Sequence, residues 1–170
     1  MAMKPYYGHE ITIEITAGED IPYYCLTKFH ATDKTKVVKA TAGSIPNGVS
    51  VPSEDSMGSD GAGGIVPKTQ WKSGEKPTIY DKGVVYVKLG ETVTAMQKCV
   101  PGATAGLAYA QDEPTFTDAA IATHDDAKIN AAINGLIDEI QAARTSDASV
   151  LGEFMVGGDA GDIVPVKITQ

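Results

Sequence analysis

Apolar and polar residues alternate strictly along HEITIEITAGEDI. Ile11, Ile13 and Ile15 fall on one face and Thr12, Glu14 and Thr16 on the other, which predicts a half-buried strand of period two. Ala17-Gly18-Glu19-Asp20 predicts a turn. IPYYCLTKFHA predicts a second strand, and KVVKATA a third after the polar turn Thr32-Asp33-Lys34. SIPNGVSVPSEDSMGSDGAGGIVPKTQ reads as a long Gly- and Ser-rich loop holding the turn dipeptides Asn47-Gly48 and Asp60-Gly61. A loop of that length inside a compact domain is usually functional or disordered. Trp71, which follows it, is placed to anchor it, in the core or at an interface. Alternation then returns: Val85 and Val87 face away from Tyr86 and Lys88, Gly90-Glu91 turns the chain, and Val93, Ala95 and Gln97 share one face of the next strand. Pro101-Gly102 ends that strand.

One stretch changes period. After a helix start at Asp118 or Asp125, where a short carboxylate can accept the orphan N–H bonds of a first turn, Ile129, Ile133, Leu136, Ile137 and Ile140 recur at steps of three and four. They form one apolar stripe, with Lys128, Asn134, Asp138 and Glu139 away from it. The stripe has two readings: packing on the chain's own body, or burial at an interface between copies. SVLGEFMVGG and DIVPVKIT close the chain as a strand pair. Strands and helices do not alternate as a parallel sheet requires. The expected class is therefore mainly β: an antiparallel barrel or sandwich body with a small helical insertion near the C-terminus.

Composition narrows the function. A chain of 170 residues fits one domain with room for an insertion. Its 18 glycines and nine prolines suit many turns and short strands. A net charge of −8, with 14 Lys plus Arg and no basic run, argues against nucleic-acid binding, which needs clustered cations against phosphates. The densest local group, Lys34, Lys36 and Lys39, reads as a solvated strand face. No apolar run reaches the length of a membrane span, and MAMKPYYGHE lacks the apolar core of a secretory signal. Cys25 and Cys99 are too far apart in sequence for a zinc spacing. They read as two reduced, buried thiols, with a single bridge as the alternative.

The closing GGDAGD raises a question of chemistry. Ala17-Gly18-Glu19-Asp20-Ile21, Ser73-Gly74-Glu75-Lys76-Pro77, Leu89-Gly90-Glu91-Thr92-Val93 and Ala160-Gly161-Asp162-Ile163-Val164 share one form: a glycine, an acid, then an apolar run. Glycine supplies positive φ without steric cost and the acid suits the exposed side of a turn, so the expectation is four equivalent corners rather than four ligand sites. GGDAGD matches the calcium-binding nonapeptide poorly and occurs once. No Lys followed by Ser or Thr makes a phosphate loop of it. Glu54, Asp55 and Asp60 could offer oxygens to a hard cation, but their spacing fits no known loop. His9, His30 and His124 sit in separate segments with no nucleophile beside them. His124-Asp125-Asp126 reads as a helix N-terminus, with acids meeting the helix dipole. The expectation is a chain without catalytic residues, metal or cofactor.

Taken together, TAGEDIPYYCL, SGEKPTIYDKGVVYVKLGETVTAMQKCVPGATAGLAYA and the closing GGDAGDIVPVKI resemble the capsid decoration, or cement, proteins of tailed double-stranded DNA viruses. The stretch from Asp118 to Arg144 lies outside that resemblance. The resemblance implies a β-barrel or β-tulip body (residues 9–117 and 145–170) and an N-terminal arm (1–8), while residues 118–144 read as a helical insertion that it does not explain. It implies a homotrimer on the exterior of the virion head, made in the host cytoplasm. Such a protein clamps neighbouring subunits of the major capsid protein, and binds neither nucleic acid nor membrane. Met3, Lys4, Pro5, Tyr6 and Tyr7 are the candidate capsid contacts, the two tyrosines offering broad area with a polar tip. Such an arm can add a strand to an exposed sheet edge, the other reading being a frayed terminus. Ile129, Ile133, Leu136, Ile137 and Ile140 are the candidate trimer-interface or core helix. A tail or baseplate β-barrel, and a calcium- or carbohydrate-binding module using the 53–64 loop, are the alternative functions.

Overall fold

The computed structural model describes residues 7–10, 15–53, 57–59, 65–112 and 126–170. The strands are β1 (Tyr7–Glu10), β2 (Thr16–Ala17), β3 (Ile21–Pro22), β4 (Leu26–Phe29), β5 (Lys36–Lys39), β6 (Gly48–Val51) and β7 (Met57–Ser59). They continue with β8 (Ile65–Pro67), β9 (Gln70–Trp71), β10 (Thr78–Lys88), β11 (Lys98–Pro101) and β12 (Ala108–Ala110). Helix α1 (Asp126–Ala148) precedes the final pair, β13 (Gly152–Phe154) and β14 (Ile163–Ile168).

The long strand β10 organises the body. Its C-terminal half pairs antiparallel with β14, from Val84↔Lys167 to Lys88↔Ile163, and its start pairs with β6 through Thr78↔Val51 and Tyr80↔Val49. β1 pairs with the same strand at Tyr7↔Val84 and Glu10↔Tyr80, with a register shift between Gly8 and Glu10. Because Val84 and Tyr80 already face β14 and β6, β1 must occupy the other edge of β10. The main sheet runs β12-β11-β13-β14-β10-β6-β4-β5-β2. Its pairings are antiparallel except β2 with β5.

The mainly β class holds, but the sheet is an open path rather than a closed barrel. One isolated parallel bridge, Leu89↔Ala108, and the bond from Gly90 N–H to Ala108 O at 2.9 Å bring β12 back toward the end of β10. That contact stops at a single bridge, so no ladder closes the sheet. The curl encloses one core, with Val85, Val87, Leu89, Cys99, Leu151, Phe154 and Val166 among its members. A second core gathers Ile15, Ala17, Ile21, Cys25, Val37, Trp71 and Ile79.

Burial explains where the elements follow the pattern. Val85 and Val87 are fully buried and Lys88 is exposed, as period two requires. Ile15 is buried; Ile11 and Ile13 lie outside the described residues. Two differences are instructive. The segment expected to be an unbroken loop contains β6, every residue of which is buried. A strand buried on both faces loses its alternation, and Ser50 within it reads as loop. Its hydroxyl is satisfied inside, donating to Pro22 O at 2.6 Å and accepting from Cys25 N–H at 3.2 Å. Second, Val93, Ala95 and Gln97 do not share a strand face. Val93 is buried, whereas Ala95 and Gln97 are exposed in a turn closed by Thr94 N–H donating to Gln97 Oε1 at 2.7 Å. Met96 in that turn has φ +71°.

Trp71 lies in the core, 7% exposed. Its Nε1–H donates to Val51 O at 3.2 Å, and Tyr23 meets its ring edge-on at a centroid distance of 5.7 Å. It therefore ties β9 to β6, the two ends of the segment read as a loop.

Candidate interaction surfaces

The four glycine-acid corners do not share one backbone. Gly74 and Gly161 have φ of +88° and +95° with open space where a Cβ would stand, so conformation selects glycine there. Gly18 and Gly90 have no positive φ; a Cβ on Gly90 would stand 2.2 Å from the Tyr109 ring. At Gly90 close approach selects glycine, whereas a Cβ on Gly18 would lie 3.0 Å from a Val38 methyl. What the corners share is a use for the acid. Glu19 Oε1 accepts from Lys39 N–H at 2.8 Å, Glu75 Oε2 from Lys72 N–H at 2.8 Å, Glu91 Oε1 from Ala110 N–H at 2.8 Å and Asp162 Oδ2 from Asp159 N–H at 2.9 Å. Each carboxylate latches its corner to backbone, in two cases across to another strand. GGDAGD is one such turn: Gly158 bridges Val93, and Gly161 N–H donates to Leu89 O at 3.0 Å.

Ion pairs gather on the same corners. Lys68 Nζ meets Glu75 Oε1 at 2.7 Å, and Lys72 Nζ meets Asp20 Oδ2 at 2.7 Å. The Lys68 ammonium, then the Lys72 N–H, hold the Glu75 carboxyl below its ordinary range. The Lys72 ammonium and the Ser73 N–H do the same for Asp20. In the lysine group read as a strand face, Lys36 pairs with Asp33 and Lys39 with Glu19, each at 3.3 Å.

The thiols are free, buried, and in separate cores. Burial pushes Cys25 up to about 12 and pushes Cys99 up further. A thiol held protonated in this way is a poor nucleophile and a poor metal ligand. His30 Nδ1 lies 3.3 Å from both Thr32 Oγ1 and Asp33 N, so the ring serves its own turn. Among the described residues no three His, Cys, Asp or Glu side chains converge as metal ligands, and no helix is long and apolar enough to cross a membrane. Glu54, Asp55, Asp60 and His124 lie outside the described residues.

Surface chemistry is instead apolar. Ile133, Leu136, Ile137 and Ile140 are exposed on α1, between 40% and 50%, while Ile129 is half-buried. Among the described residues, then, most of the stripe is open to solvent. Tyr7 opens β1 opposite Val84; Met3, Lys4, Pro5 and Tyr6 lie outside the described residues. Two further patches escaped the sequence reading. The two-stranded sheet of β7 and β8 exposes Met57, Ile65 and Val66 at 54%, 75% and 40%. Met96, Met155 and Val156 lie close together, because Met96 N–H donates to Phe154 O at 2.8 Å, and all three are exposed. The apolar run Ile65-Val66-Pro67 was the available signal for the first patch. The second is assembled only by folding.

No family model and no curated protein matches the chain. Among solved structures it is similar to the head fiber gp8.5 N base of bacteriophage phi29, with a TM-score of 0.52 and 15% identity over 95% of each chain. At that identity the two share a fold: a β body like that of a phage head fiber base.

Proposed function

We propose that this protein is a structural component of a tailed-phage head, a decoration protein seated on the exterior of the shell. The observation that carries the reading is the fold it shares, over 95% of both chains, with the base of a phage head fiber. Its action is adhesion. A protein that binds the mature shell in preference to the immature one shifts the equilibrium toward the mature form by mass action. The partner is the major capsid protein, whose neighbouring subunits it clamps. It works as a homotrimer, is made in the host cytoplasm, and contacts the shell through Met3, Lys4, Pro5, Tyr6 and Tyr7. The absence of catalysis in this reading is supported by the buried, protonated thiols and by carboxylates used as corner latches. An image of the particle carrying this protein tests the reading. Protrusions at three-fold positions of the head are expected; protein found on the tail, or on no part of the particle, would end it.

A second reading is favoured by the neighbour's description as the N base of a head fiber: this body, too, is the base of a head projection. Density rising well beyond the body in the same image would select it over a clamp.

A further inference from the structure

Helix α1 carries an apolar face that the described residues leave open. Ile133, Leu136, Ile137 and Ile140 are 50%, 48%, 44% and 40% exposed. No strand among the described residues packs closely along the helix. Contiguous exposure of large apolar side chains marks a surface built for contact.

The spacing says what kind of contact. Ile129, Ile133, Leu136, Ile140 and Ala143 recur at steps of four, three, four and three. These are the d, a, d, a and d positions of two heptads, the mean period of 3.5 that keeps a seam facing another helix. Asp126 and Asp147 fall on the a positions at either end, so the seam has polar limits. Asn134, Asp138 and Gln141 take outer b and f positions. Isoleucine occupies the two inner a positions and one d position, Leu136 and Ala143 take the other d positions, and Ile137 widens the stripe at e. Ile at a over Leu at d also suits a pair of helices; Ile129 at d, the e-position Ile137 and the homotrimer of the reading above select three.

Charge sets the direction. Glu139 is at g and Arg144, the only arginine in the chain, is at the following e. In a parallel assembly the g residue of one helix faces the next e residue of its neighbour, so opposite charges meet. An antiparallel pairing sets g against g and e against e, and like charges meet.

We propose that α1 is an assembly helix: three copies of this chain join through a parallel three-stranded coiled coil with Ile133 and Ile140 at a and Ile129, Leu136 and Ala143 at d. This deepens the homotrimer of the reading above by naming the element that makes it. Two heptads are too short to associate alone, so each helix must be presented by its body. Asp147 supplies part of that tether, accepting from Lys98 Nζ at 3.3 Å and Gln111 Nε2 at 3.1 Å.

Sedimentation equilibrium of the full chain tests the proposal, with circular dichroism to confirm folding. The wild type should be trimeric. The I133E/I140E variant alters side chains that are exposed in the single chain, so it should stay folded and associate at least about tenfold more weakly. E139R should weaken the trimer, and the swap E139R/R144E should restore it. A monomeric or dimeric wild type would overturn the proposal, as would a trimer indifferent to I133E/I140E. A swap that fails to restore association would refute the parallel register. A monomer that still binds heads would sink this inference and leave the head-protein reading standing; a trimer that ignores heads would do the reverse.

Discussion

Gly106 joins the two halves of the body. Its N–H donates to Ala40 O at 2.7 Å, and its carbonyl accepts from Leu26 N–H at 2.8 Å. A Cβ at this position would stand 1.9 Å from Cys25 Sγ, and φ is +83°. Gly106→Ala therefore meets two separate penalties. An L side chain in the left-handed region costs about 1–2 kcal/mol. The clash falls roughly 1.5 Å short of ordinary contact, and overpacking of that kind costs about 1–3 kcal/mol. The sum is a loss of about 2–5 kcal/mol. Cys25→Ala alone removes one buried heavy atom and should cost roughly 1 kcal/mol. In the double variant the sulfur is gone, so only the backbone penalty and the small cavity remain. The two changes should then be coupled by about 1–3 kcal/mol in the favourable direction. Urea denaturation of the four proteins at one matched concentration measures the cycle, with unchanged m-values as the check that only stability moved. Strict additivity would refute the steric account and leave the backbone conformation alone to explain the glycine.

Two further outcomes follow from the corners and the hidden strand. The Glu75 carboxyl is held below the ordinary glutamate value of 4.5, so its contribution to stability is full above that value and is lost as pH falls through the lower folded value. The stability difference between wild type and Glu75→Gln should accordingly shrink in acid, which a urea series from neutral pH downward would check; a difference that grows in acid would contradict the pairing with Lys68. Ser50→Ala removes a hydroxyl bonded to Pro22 O and Cys25 N–H, leaving the buried Cys25 N–H without that partner. A loss of about 1–3 kcal/mol is expected in thermal or chemical denaturation, and a neutral result would mean that β6 is not buried as described.

Legibility in the sequence followed burial geometry. Strands with one face in the core and one in water, such as the Val84–Lys88 half of β10, displayed their period directly. β6 did not, because Val49 and Val51 are buried on one face while Gly48 and Ser50 are buried on the other; nothing polar alternates, and glycine and serine carry the look of a loop. The corners were legible as turns, but their backbone was not. Glycine in a sequence records freedom at Gly161 and close approach at Gly90 in the same letter. The open rather than closed sheet turns on one isolated bridge between Leu89 and Ala108, which no residue pattern announces. On the surface, the α1 stripe was visible as a period, and its exposure was not, since the same pattern serves an internal core face. The patch of Met96, Met155 and Val156 had no sequence signal, because residues far apart along the chain meet there through tertiary backbone bonds such as Met96 to Phe154 and Phe154 to Gln97.

The central claim is that this fold acts by adhesion to a phage head, and thermal melting of expanded, undecorated heads with and without the purified protein tests it most directly. Saturable binding and a rise in the melting temperature of the shell are the expected result, and the rise should grow with free protein as mass action requires. Heads that bind none of the protein and melt at an unchanged temperature would contradict it.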